Sequence, residues 1–382
     1  MQAGTTSPRL RASDIATWLL VSLGVGLLVL LLLSFALESK PRTSTGILTG
    51  GDQIRIAYFE FGITADTLWL ANPVKPSQRE KALVVPHAHE FGVIPSISPD
   101  GRSLVYTALA ANDPAPAPDS PAGLWLASIS RDAQPRLLVS GVDLRVAAVW
   151  TPDGANVVYR RSDANGFSLA TIPIPGGEER ILAHSNSEAA LFPVGFSPDG
   201  SRFYHVALSE DGSRLYSVVL ATRVQTELAL LSPGLTREWS LSKDGSRLAF
   251  LAMNYGPDAI AARAYTLDLA SGALAPVTSA TVNAFGPIWD SSGALLVGSL
   301  NPNGEAALVR SDAGSVSLLP GPGRGFDVPL GFAPAGGAFV VRAFSGATAV
   351  APGAATLTLI DEKGGRHVVA SGDVTFVGWS TP

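Results

Sequence analysis

The sequence predicts an all-β fold, a seven-bladed β-propeller, preceded by one transmembrane α-helix. Three observations lead there. A four-residue turn, Ser98-Pro99-Asp100-Gly101, recurs along the chain. Each copy is followed by short β-type runs separated by Gly, Pro and Asp. An uncharged apolar stretch lies near the N-terminus.

The turn sets the register. Ser197-Pro198-Asp199-Gly200 repeats it without change, and Thr151-Pro152-Asp153-Gly154 and Ser242-Lys243-Asp244-Gly245 each differ at one place. Asp290-Ser291-Ser292-Gly293 and Ala333-Pro334-Ala335-Gly336 are degenerate copies, and Trp379-Ser380-Thr381-Pro382 holds the front half of another. Successive turn glycines are 53, 46, 45, 48 and 43 residues apart. Proline pre-sets φ at the first corner, aspartate bonds back to the backbone, and glycine takes the positive φ that closes a tight hairpin. Asp100, Gly101, Asp153, Gly154, Asp199, Gly200, Asp244 and Gly245 are therefore read as structural.

Ile97, Trp150, Phe196, Leu241, Trp289, Phe332 and Trp379 precede the seven turns. One bulky apolar side chain per unit is what packing between neighbouring units requires, so Trp150, Phe196, Trp289, Phe332 and Trp379 are assigned to the inter-blade core. After each turn a second strand is expected (103–108, 157–160, 247–251), then a third (123–128, 214–220, 356–360) and a fourth (136–139, 179–183, 366–370). Four strands per ~45 residues is the sequence form of a propeller blade.

The chain ends make the count. An inner strand at 374–380 has nothing after it, and runs within 54–85 supply second, third and fourth strands with no inner strand before them. Together they complete one blade, which removes the open sheet edge and gives seven. A six-bladed ring with a detached N-terminal hairpin is the alternative.

The bulky residue, the Ser-Pro-Asp-Gly turn and a run such as Arg247-Leu248-Ala249-Phe250 resemble the repeat of TolB-type, WD-repeat-like β-propellers, over about residues 54–382. The resemblance implies the fold and no particular activity. It departs at Ser292 and Ala335, which replace the turn aspartate. TolB-type rings usually have six blades, so the blade count is a second departure.

The domain plan is a tail at 1–14, a signal anchor at 15–37, a Ser/Thr/Gly-rich linker at 38–52 and the propeller at 53–382. The uncharged run 15–37 would span about 30 Å as a helix, the thickness of the hydrocarbon core. Trp18 suits an interface, and Arg9 and Arg11 on one side balance Lys40 and Arg42 on the other. The alternative is a cleaved signal peptide with Ser34-Phe35-Ala36 as its small-x-small site, although its apolar region would exceed the usual ~7–15 residues. The anchor predicts a single-pass cell-membrane protein with the propeller outside the cytoplasm, periplasmic or at the cell surface.

The formal net charge is −5. Outside residues 1–52, which carry four basic and three acidic groups, there remain 23 basic and 29 acidic. That balance excludes the positive footprint of a nucleic-acid-binding protein. Cysteine is absent, which removes disulfides, thiolate metal sites and a cysteine nucleophile. The sequence has no Gly-x-Ser-x-Gly elbow, phosphate-binding glycine loop or His-Glu-x-x-His. No cofactor and no metal site are expected.

Strand alternation places the Asp-Gly turns on one face and the blade-to-blade loops on the other, with the longer connections at 108–122, 252–262 and 344–355. Long loops on a rigid scaffold carry binding. The blade-to-blade loops are expected to bring His87, His89, Glu90, Asp143, Arg145, His184, Glu188, Arg324, Asp327 and Asp373 toward the channel mouth. The leading functional expectation is a non-enzymatic scaffold, or an accessory subunit of a membrane complex, binding a protein or peptide. The alternative is a hydrolase or lyase acting on a sugar, lactone or peptide at the channel mouth.

Overall fold

The computed structural model describes residues 54–381, apart from 112–115, 118–119, 131–132, 187, 256–259 and 313–314. The expected membrane segment at 15–37 and its linker lie outside the described residues. Among those described, no helix is long and apolar enough to cross a membrane.

Among the described residues, the strands form seven four-stranded antiparallel sheets. The first blade runs from Ile94–Ile97 to Arg136–Val142, the second from Val149–Trp150 to Arg180–Ser185, and the third from Ala190–Phe196 to Gln225–Ser232. The fourth runs from Thr236–Leu241 to Leu274–Pro276, the fifth from Asn283–Trp289 to Ser315–Pro320, and the sixth from Phe326–Phe332 to Arg366–Ser371. The seventh is composite: Val374–Ser380 pairs with Arg55–Glu60, followed by Ala65–Ala71 and Arg79–Pro86. Arg55 lies opposite Ser380 and Glu60 opposite Val374. Seven blades and this closure are as the strand patterns implied, and the six-bladed alternative falls.

The turn motif forms the same hydrogen-bonded unit in each well-kept copy. The amide of Gly101 donates to the Ser98 carbonyl at 2.9 Å, and the Ser98 hydroxyl donates to Asp100 Oδ1 at 2.5 Å. Asp100 Oδ1 also accepts from the amide of Arg102, and Ser98 Oγ from that of Ser103. The units at Thr151–Asn156, Ser197–Arg202 and Ser242–Arg247 repeat these contacts. In the fifth blade the carboxylate has moved to the first position. Asp290 Oδ1 accepts from the amides of Ser292 and Ala294, replacing serine and aspartate together. The four turn glycines have φ between 68° and 72°, a region costly for any residue with a Cβ.

The turns also touch one another around the ring. A Cβ on Gly154, Gly200 or Gly245 would meet the proline ring of the preceding turn, Pro99, Pro152 or Pro198. The repeated Pro and Gly therefore form an inter-blade contact as well as a hairpin. At the closure, Thr381 donates its amide to the Gly101 carbonyl at 3.2 Å and its hydroxyl to the Asp100 carbonyl.

The core lies between blades. Trp150 packs with Val105 and Leu124 of the first blade and Val157 and Tyr159 of its own. Phe196, Trp289, Phe332 and Trp379 take the equivalent places between later pairs. The indole of Trp150 donates to the Ser96 carbonyl, and that of Trp289 to the Ser240 carbonyl, so each tryptophan is tied to the inner strand of the preceding blade.

Candidate functional site on the loop-rich face

The blade-to-blade loops run over the face opposite the Asp-Gly turns, and their charged residues fall into two groups. Some turn inward and hold the loops. His87 is 1% exposed, and its Nε2 lies 3.0 Å from Asp66 Oδ1. Asp66, itself buried, also accepts from the amides of Gly62 and Val93. His87 Nδ1 faces the Ala88 carbonyl at 2.8 Å, and its ring stacks on Phe61. One carboxylate thus fixes both ends of the crossover from the closing blade to the first. Sequence reasoning missed Asp66, because it sits at the start of a strand with no motif around it.

Asp143 does the same work one blade on. It is 6% exposed and takes a pair of bonds from Arg145, at 2.9 and 3.0 Å. Arg160, in the second strand of the next blade and 4% exposed, donates its Nε at 2.9 Å. Burial pushes the Asp143 carboxyl up, and the two guanidinium groups outweigh it and hold it below the usual carboxylate range. Arg160 also donates to the Leu191 carbonyl and lies over the Phe192 ring at 4.5 Å, linking the second blade to the third. Asp327 departs from the expectation: it lies in the inner strand Phe326–Phe332 and not in a crossover loop, buried, with both oxygens held by Arg366 of the same blade's outer strand at 2.7 and 2.8 Å.

The remainder face solvent. His89 and Glu90 are well exposed, with 4.0 Å between His89 Nδ1 and Glu90 Oε2. Glu188 and Arg324 are exposed. His184 corrects the expectation. It lies in the outer strand Arg180–Ser185, not in a crossover loop, where it meets the Ser168 hydroxyl at 3.0 Å. Leucine and alanine before it continue the strand through the position assigned to the loop. Asp373 stands at the entrance to the last inner strand. Desolvation raises its carboxyl and Asp66 adds to the rise, against the pull of Arg342. Among the described residues, no three His, Asp or Glu side chains are grouped as a metal site.

One of the long connections also differs from expectation. Residues 252–262 are largely strand: Arg247–Tyr255 pairs with Ile260–Asp268 out to Tyr255 opposite Ile260. The connection at 344–355 is a loop, closed by Ser345 and Ala354 and carrying Val350 at 85% exposure. A cleft lies on the other face. It has a volume of about 370 Å³ and opens between the second and third blades, lined by Thr151, Arg180, Leu182, Phe196, Leu220 and Arg223. None of the loop-face residues lines it.

No family model and no curated protein matches the chain. Solved structures do. A prolyl endopeptidase aligns with a TM-score of 0.58 at 13% identity, covering 85% of this chain and 50% of that one. An oligogalacturonate lyase in complex with manganese aligns at 0.56 and 16% identity, covering 84% and 86%. TolB from Acinetobacter baumannii aligns at 0.49 and 15% identity, covering 69% and 63%. The chain thus spans about half of the endopeptidase and under two thirds of that TolB. At these identities the likeness establishes the β-propeller fold and goes no further.

Proposed function

We propose that the chain is a membrane-anchored, non-enzymatic propeller outside the cytoplasm. Its loop-rich face holds a protein or peptide partner, as a scaffold or as an accessory subunit of a membrane complex. The observation that carries this reading is the use made of charge on that face. Asp66, His87, Asp143 and Arg160 are buried and spent on fixing the loops. A preorganised, pinned loop surface lowers the ordering cost of binding a large partner. His89, Glu90, Glu188 and Arg324 are left at the surface to meet it.

Strand direction supports the same reading. Arg55 lies opposite Ser380, next to the Asp-Gly turn at 98–101, so the described chain begins on the turn face. An anchor at 15–37 would join the ring at that face and leave the loop-rich face clear of the tether. The residues between would reach about 50 Å at full extension.

Affinity capture of the full chain from detergent extracts of its native membranes tests this. A stoichiometric partner should be recovered, and it should be lost when the loop between Ser345 and Ala354 is replaced by a two-glycine turn. Recovery of the lone chain, or a partner indifferent to the loop, contradicts the proposal.

A further inference from the structure

Each blade ends in an outer strand with one unpaired edge. Such an edge recruits another chain unless charge, proline, brevity or a bulge blunts it. Six of the seven outer strands are blunted. Arg79–Pro86, Arg136–Val142, Arg180–Ser185, Gln225–Ser232 and Arg366–Ser371 each carry charge, and each meets its neighbour across a register shift. Leu274–Pro276 has only three residues. The fifth blade's outer strand, Ser315–Pro320, has neither charge nor a register shift, and its one blunting residue is Pro320 at its end. Its six residues, SVSLLP, are uncharged, and they pair without a shift from Asp312↔Ser315 to Ala307↔Pro320. Val316 is 57% exposed and Leu318 70%.

We propose that this edge pairs antiparallel with the same edge of a second copy of the chain, joining two four-stranded blades into one eight-stranded sheet. The occupant has to be an extended strand, because the edge lacks partners for its backbone N–H and C=O groups. The sequence of the edge fits itself. A two-fold axis at Ser317 sets Val316 of each copy against Leu318 of the other on one side of the sheet. It sets Ser315 against Leu319, and Ser317 against its mate, on the opposite side. No like charges meet. The contact is isologous, so it closes at two copies. It lies on the circumference of the ring and does not depend on the partner reading of the loop face.

The absence of cysteine gives a clean test. Residues directly opposite across an antiparallel pair have Cα atoms about 4.5–5.5 Å apart, within reach of a disulfide. Ser317→Cys in the full chain, in native membranes under mild oxidation, should give a covalent dimer. Its rate should be at least about tenfold that of Thr226→Cys, on the exposed outer strand of the third blade. Adding Leu318→Lys should return the rate to that of the control, with the circular dichroism of the purified chain unchanged. Equal rates for the two cysteine variants would overturn the proposal, as would crosslinking that survives Leu318→Lys. A foreign strand on the edge would shield position 317 and give the control rate, which also overturns it.

Discussion

The indole N–H of Trp150 donates to the carbonyl of Ser96 at 3.0 Å, one blade back, whereas the indole N–H of Trp379, at the same place in the closing blade, is buried with no acceptor. The two tryptophans share a role in packing and differ by one hydrogen bond. Trp150→Phe and Trp379→Phe lose similar ring area, but only the first strands a carbonyl. Urea unfolding should show Trp150→Phe to be more destabilising by about 1–2 kcal/mol. Equal costs would mean that the bond contributes nothing net.

His205 makes stability depend on pH. It is 1% exposed and stacked on Phe203 and Tyr216, and burial lowers it from 6.5 to about 4. The folded state prefers the neutral ring. Its contribution is therefore whole above the unfolded value of 6.5 and is lost as pH falls toward about 4. The loss amounts to on the order of 3 kcal/mol. His205→Phe should flatten the stability profile in that window relative to the parent chain, as read by thermal melts at stepped pH.

The turn aspartates act in a lower window. The hydroxyl of Ser197 is the main cause that holds Asp199 at about 2, with the amide of Ser201 assisting. The carboxylate's contribution is present above the ordinary 3.8 and disappears as pH falls through about 2. Ser197→Ala should move the Asp199 carboxyl resonance titration upward, toward 3.8. An unmoved titration would show that Ser201, through its amide and its hydroxyl, sets it.

Asp143 and Arg324 separate structure from surface. Asp143→Ala leaves Arg160 buried without its carboxylate and should cost about 3–5 kcal/mol in chemical denaturation. Arg324→Ala and Glu188→Ala should stay within about 0.5 kcal/mol of the parent. If Asp143→Ala were equally mild, its loop would not be pinned as described.

Much of this was legible in the chain. The spacing of Gly101, Gly154, Gly200 and Gly245 fixed the blade register, and the unmatched strands at 54–85 and 374–380 gave the closure, because both are local patterns of turn chemistry and alternation. The site was less legible. His87 and Asp143 look like loop charges in sequence, yet each is buried by a partner far along the chain, Asp66 or Arg160, that no local pattern reveals. His184 was misplaced because strand ends are set by pairing, here with Ser168, and not by its own residue type. The contact between Pro198 and Gly245 joins successive turns, so a hairpin reading of either one misses it.

The central claim is that the loop-rich face, and not the turn face, meets a partner. A photo-reactive amino acid at Val350, on the loop between Phe344 and Ala355, tests it against the same residue at Lys243, in the fourth Asp-Gly turn. Irradiation in native membranes should give one discrete adduct from position 350 and none from 243. An adduct from 243 alone, or none from either, would contradict the account.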